Sequence, residues 1–311
     1  MRERRAGSRD MTVWSGGNEA HMGAAGGCRK VGWRIRGASR RRITVWSRSP
    51  AHEHRQHRRP PSPAAPPWAW LWLFGASQLL MLALWWRFGW AAGLLAMLVS
   101  HGAMFWGTLW PRSRLFGPVL ARLPTQARAM WLTIDDGPSD DTPAMLDLLD
   151  AYGAKATFFL VAERAAARPQ LAREIVRRGH GIGNHSQSHP QAWFWALGPG
   201  RMAAEIEQAQ AGLRAVTGVT PRWFRAVVGM ANPFVSASLK KLALARVAWS
   251  ARGFDGVRGE PDSVVARIVA DFRPGAIVLL HEGAPHGNNV AIVEGVLRAM
   301  KDAGYVAVVP E

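Results

Sequence analysis

From Trp68 to Trp110 the chain reads WAWLWLFGASQLLMLALWWRFGWAAGLLAMLVSHGAMFWGTLW, and Arg87 is its only formally charged residue. So much contiguous apolar side chain has to be removed from water, by lipid or by protein. In a helix each residue adds about 1.5 Å, so Trp68–Trp86 and Phe88–Trp110 would each cross the roughly 30 Å hydrocarbon core of a bilayer once. Half of the chain's 16 tryptophans fall here. They cluster at Trp68/Trp70/Trp72, Trp85/Trp86/Trp90 and Trp106/Trp110, where two spans would meet the interfaces. The expectation is a transmembrane helical hairpin over residues 68–110, with a buried hairpin of a soluble protein as the alternative. A cleavable signal peptide fits poorly, because the run is long and begins far from Met1.

Arg55, Arg58 and Arg59 precede the hairpin, and Arg112, Arg114, Arg122 and Arg128 follow it with no acidic residue among them. By the positive-inside rule both flanks are cytoplasmic, which puts the C-terminal domain on the cytoplasmic face; if only one segment crosses, that domain lies outside. The charge is uneven along the chain. Residues 1–127 hold 19 Lys and Arg against 4 Asp and Glu, so about +15 of the formal +17 lies there. Residues 1–67 read as a basic, Pro-rich disordered arm, for which a start codon assigned too early is the rival explanation, and residues 111–127 as a basic juxtamembrane linker. The arm has no nucleic-acid-binding motif, so no nucleic-acid partner is expected. Cys28 stands alone, which leaves no internal disulfide and no cysteine metal cluster.

Residues 128–311 alternate short β-branched or aromatic runs with longer amphipathic stretches. Strands are expected at 130–134, 156–161, 181–184, 223–228, 246–250, 276–280 and 305–309. Helices are expected in TPAMLDLLDAYG, with Thr142 as N-cap and Gly153 as stop, in RMAAEIEQAQAGLRAVTG and in NVAIVEGVLRAMKDAG. This alternation predicts a parallel α/β sheet or barrel, whose chemistry gathers at the C-terminal strand ends. Titratable residues stand at those ends: Asp135 and Asp136 in TIDDGP, His185 in NHSQSH, Arg225, Asp255 and His281.

Two adjacent carboxylates repel unless something positive holds them. His185 and His189 are four apart and would share a face if the segment after Gly183 turns helically. With one aspartate they make an N,N,O set suited to a divalent first-row ion, which would relieve the repulsion.

These residues resemble the NodB-homology polysaccharide deacetylases of carbohydrate esterase family 4, over roughly residues 128–311 and with five motifs in order. The resemblance implies an irregular (β/α) barrel of about seven strands behind the hairpin. It implies Asp135 as general base, Asp136, His185 and His189 as ligands, and Arg225 as the residue orienting Asp135. It further implies the Val228 N–H as oxyanion donor, Asp255 as the partner that tunes His281, and His281 as general acid. One Zn²⁺ is the expected ion, with Co²⁺, Ni²⁺ or Mn²⁺ as alternatives. The implied partners are an N-acylated sugar polymer or a lipid-linked sugar, together with the lipid bilayer, and the implied location is a bacterial inner membrane. Two departures stand out. Ala226-Val227-Val228 lacks the proline and aromatic ring of the third motif, and Gly256 replaces a tryptophan in the fourth. Trp193, Phe194, Trp195 and Met230 are candidates for rebuilding the lost apolar wall, with Trp193 and Trp195 assigned to substrate.

Overall fold

The computed structural model describes residues 69–310, so the arm expected over residues 1–67 lies outside the described residues. Helices α1 (Ala69–Phe88) and α2 (Trp90–Leu109) are each long and apolar enough to cross a membrane. The chain breaks between them at Gly89, whose φ of 88° suits glycine, while Arg87 closes the last turn of α1 instead of separating the spans. Gln78 on α1 donates to Ser100 Oγ on α2, at 3.4 Å. One end of the hairpin rests on the remaining domain: Trp70 packs edge-on to Phe234, Phe105 lies 6.5 Å from Trp195, and the Ala231 N–H donates to Thr108 O.

The domain is an irregular parallel barrel. Strands β1 (Ala129–Gly137), β2 (Ala156–Leu160), β3 (Gly181–Asn184), β4 (Trp223–Phe224), β5 (Ala245–Arg246), β6 (Ala251–Arg252) and β7 (Ile277–His281) run in the order β5-β4-β3-β2-β1-β7-β6. A short β8 (Val306–Ala307) adds to the start of β1. Helices α3 (Thr142–Ala151), α4 (Ala162–Ala167), α5 (Pro169–Arg177), α6 (Pro199–Thr217), α7 (Val235–Lys241), α8 (Pro261–Ala270) and α9 (Asn289–Asp302) connect the strands. Residues 111–127 are part of this domain and not a free linker. Leu120 bridges Val247 beyond β5, Arg122 bridges Ala276 ahead of β7, and Phe116 and Val119 are buried.

Local chemistry accounts for the differences from expectation. Thr142 is the first helical residue of α3 and not its cap, because its hydroxyl is taken by Glu282 and by the Ser139 N–H. The strand expected over 223–228 pairs only at Trp223–Phe224, since Val227–Gly229 coils into a 3-10 turn. The two residues of β6 form no apolar run that a pattern could reveal.

Strand alternation decides which side chains face the site. On β1, Met130, Leu132 and Ile134 pack outward with Leu146, Val278 and Val296. Trp131 faces inward with Phe159, Trp249, Ile277 and Leu279, and the same parity carries Thr133 and Asp135 into the interior. On β7 the inward row Ile277, Leu279 ends at His281, the register partner of Asp135. Gly183 on β3 leaves room for the Phe159 ring, which a Cβ there would meet at 2.5 Å.

Candidate active site

Asp135 is buried at the end of its inward row and receives the Arg225 Nη1–H at 2.6 Å. Arg225 is fully buried as well, donates to Thr133 Oγ1, and lies 4.2 Å above the Phe159 ring. Burial pulls its guanidinium below the usual arginine value, and the Asp135 carboxylate opposes that pull. The pair is therefore held rigidly, with the second carboxylate oxygen 3.7 Å from His185 Nε2.

Alternation alone would send Asp136 to the opposite face. A bulge prevents this: the register to β2 slips between Asp135 and Gly137, and Asp136 adopts a φ of 73°. Bulges of this kind re-aim side chains at the ends of strands. Asp136 Oδ1 consequently lies 2.9 Å from His189 Nε2 and 3.5 Å from His185 Nε2, and the ligand atoms of the three residues fall within 4.8 Å of one another. The histidines converge without a helix. Ser186 and His189 take φ values of 72° and 56°, while Glu205 accepts the Gln187 and Ser188 N–H groups and fixes the loop.

These residues fit a metal ion. His185 Nδ1 donates to the Arg225 carbonyl, which can only accept, so its Nε2 is left with a lone pair toward the site. Asp136 Oδ1 is buried with no hydrogen-bond partner of acceptable geometry, despite two imidazoles nearby.

On the other side of Asp135, His281 Nδ1 meets Asp255 Oδ1 at 3.0 Å, and Asp255 Oδ2 accepts the His281 backbone N–H at 2.6 Å. Burial alone would lower the imidazole. The Asp255 carboxylate, helped by Asp135 and Asp136, instead raises it to about 9. A group that must be protonated to act is then competent below that value and loses competence as pH rises through it. Asp255→Asn removes the main raising partner, so the alkaline limb of the kcat/KM profile should move to lower pH, a shift that a rate measurement across pH 6–10 reads directly.

Sequence reasoning missed Glu282. It is buried, and its Oε2 accepts from Ser139 N, Ser139 Oγ and Thr142 Oγ1, tying the loop after Asp136 to the end of β7. Burial raises its carboxyl to about 6 against these donors. A methyl group at Gly137 would overlap Glu282 Oε1. Gly137→Ala should therefore cost about 1–3 kcal/mol by urea denaturation, and it should weaken cation uptake at Asp136.

Strain marks the same place. Six described residues other than glycine have positive φ, and Asp136, His189, Val228 and Phe254 among them line one cleft of about 320 Å³, with Ser186 on the connecting loop. Val228, a β-branched residue at φ 55°, is half exposed on the rim. Such outliers persist where the surroundings force them, commonly at working sites. Trp193 and Trp195 are not brought in. Trp193 is exposed away from the cleft lining, and Trp195 lines a different hollow with Phe105 and Phe234. Phe194 is buried with Phe224 and Val235, and Met230 does not line the cleft either. The apolar wall lost from the third motif is thus not rebuilt from these four residues.

Comparison with known proteins identifies the family. A family model described as polysaccharide deacetylase matches residues 122–247. A chitooligosaccharide deacetylase of Bradyrhizobium sp. (strain ANU 289) is 36% identical over 173 residues, covering 55% of this chain and 78% of the relative. A family 4 carbohydrate esterase from Streptomyces lividans, solved in complex with acetate, superposes with a TM-score of 0.55 at 28% identity, over 60% of this chain and 95% of that one. A family 4 pseudoenzyme from Bacillus anthracis superposes equally well, at 0.55 and 26% identity, over 61% and 66%. The chain belongs to the polysaccharide deacetylase family, carbohydrate esterase family 4.

Proposed function

We propose that this chain is a membrane-anchored, metal-dependent hydrolase that removes an N-acetyl group from an amino sugar. The single observation that carries the reading is the convergence, in one cleft, of an Arg-held carboxylate, an Asp/His/His ligand set and an Asp-held imidazole. A glycan-binding protein with a degenerate site has no use for all three, which favours the enzyme reading.

Asp136, His185 and His189 would hold one divalent ion, with Zn²⁺ matching the N,N,O donors best. Such an ion supplies polarisation of a carbonyl and a lowered pKa for water. Asp135, oriented by the Arg225 guanidinium, takes the proton of the attacking water. The Val228 N–H, on a strained turn at the rim, is offered to the developing oxyanion. His281, kept protonated by Asp255, gives its proton to the departing amine. Acetate and a free amino sugar result.

Membrane anchoring rests on the length and composition of α1 and α2 and on their exposed Trp72, Trp86, Leu73 and Leu79. The arginine count on both flanks favours the cytoplasmic face for the domain. The test is acetate release by the full chain in detergent micelles, loaded with Zn²⁺ and offered N-acetylated oligosaccharides, peptidoglycan fragments and lipid-linked amino sugars. Release from at least one is expected; release from none, with metal bound, would return the chain to the binding-protein reading.

A further inference from the structure

One cation in the cleft has no protein counterpart. Arg252, at the end of β6, is the register partner of Leu279 on β7, so its side chain enters the cleft on the same face as Leu279 and His281. His281 is two positions further along the same inward row of β7 and lines the same cleft. Among the described residues Arg252 makes no ion pair and donates no side-chain hydrogen bond, and its Nε is buried without a partner. The carboxylates around it are committed elsewhere: Asp255 to both the ring and the backbone of His281, Glu282 to Ser139 and Thr142, Asp135 to Arg225, and Asp136 to the histidine pair.

The guanidinium is nevertheless positioned. It lies 3.8 Å from the Phe254 ring centroid and 5.2 Å from that of Trp249. Phe254 adopts a φ of 67°, an uncommon conformation for a bulky residue, and its ring covers the guanidinium. Stacking fixes the plane of the fork but satisfies none of its N–H donors. Burial draws the group below the usual arginine value, with Asp255 opposing only in part. A stacked, pre-oriented and unpaired arginine fork is suited to bidentate capture of an oxyanion.

We propose that Arg252 is a specificity residue that receives an oxyanion, a phosphate ester or a carboxylate, carried by the N-acyl sugar substrate. This rests on the deacetylase reading of the same cleft and narrows its substrates to anionic amino sugars, with neutral chitooligosaccharides as poor ones. Arg164 lines the cleft too, but one of its N–H groups is given to the Asp136 carbonyl, whereas Arg252 donates no side-chain hydrogen bond among the described residues.

The experiment uses the full chain in detergent micelles with Zn²⁺, as wild type, Arg252→Met and Arg252→Lys. Three sugars are compared: neutral diacetylchitobiose, N-acetylglucosamine 1-phosphate, and an N-acetylglucosamine–glucuronate disaccharide. Acetate release gives kcat/KM, and calorimetry gives Kd independently of turnover. Wild type should favour one anionic sugar over the neutral one by about 10- to 100-fold, mostly through KM. Whether the phosphate or the carboxylate wins identifies the source of the anion. Arg252→Met should bring the anionic-to-neutral ratio close to one, and Arg252→Lys, which keeps the charge, should restore part of it. No preference in wild type, or a preference that survives Arg252→Met, would overturn the proposal. If no sugar yields acetate, the deacetylase reading fails, while the Kd ratios still decide the role of Arg252.

Discussion

Asp135→Asn should lower kcat for acetate release by about 10²–10⁴-fold, the usual contribution of a positioned general base, while the protein still binds one divalent cation per chain. The amide keeps the shape of the carboxylate but cannot accept the proton of the attacking water. The candidate ligand atoms belong to Asp136, His185 and His189, and the bulge that aims Asp136 into the cleft does not involve the Asp135 side chain. A second effect should appear in stability. Arg225 is buried and its charge is met at 2.6 Å by Asp135, so neutralising that partner leaves an uncompensated cation, a change that in buried pairs costs about 3–5 kcal/mol. Thermal melting should therefore drop in the same variant that retains metal. An Asn variant with wild-type turnover would remove Asp135 from the mechanism.

His185→Ala should lose both cation and turnover. Its imidazole joins two parts of the site: Nε2 lies beside Asp136 Oδ1, and Nδ1–H is anchored on the Arg225 carbonyl. Truncation removes one of three donors and frees the carbonyl that fixed the ring, so metal retained after desalting should fall well below one equivalent. Acetate release should fall at least as far as in Asp135→Asn. The two variants thus separate by metal content: equal loss of activity, unequal loss of ion. Full metal retention in His185→Ala would take His185 out of the ligand set.

Much of this was legible in the sequence because a parallel sheet converts strand parity into position. TIDDGP, NHSQSH and LLH each end an apolar run, and that places Asp135, His185 and His281 on one rim. The pairing of Arg225 with Asp135 and of Asp255 with His281 followed from the family resemblance, and the distances agree with it. The way Asp136 and His189 reach the site was hidden, because both depend on positive φ angles that no side-chain pattern announces. The helical turn expected for the histidine pair is in fact a loop, bent at Ser186 and His189 and held by Glu205 from α6, a contact between residues 17 and 18 positions apart. Glu282 was missed because a glutamate after LLH reads as an exposed charge until the loop of Ser139 and Thr142 folds onto it. Trp193 and Trp195 were assigned to substrate on aromatic character alone. The cleft is lined instead by Val228 and Phe254, and Trp195 packs against Phe105 of α2.

The central claim is that one ion held by Asp136, His185 and His189 makes this cleft a deacetylase, and a metal titration tests it most directly. Full-length protein stripped by chelator and given Zn²⁺ in steps, with bound metal and acetate release recorded together, should gain activity in proportion to occupancy and reach its plateau at one ion per chain. Acetate release by the stripped protein, unchanged as the site fills, would contradict it.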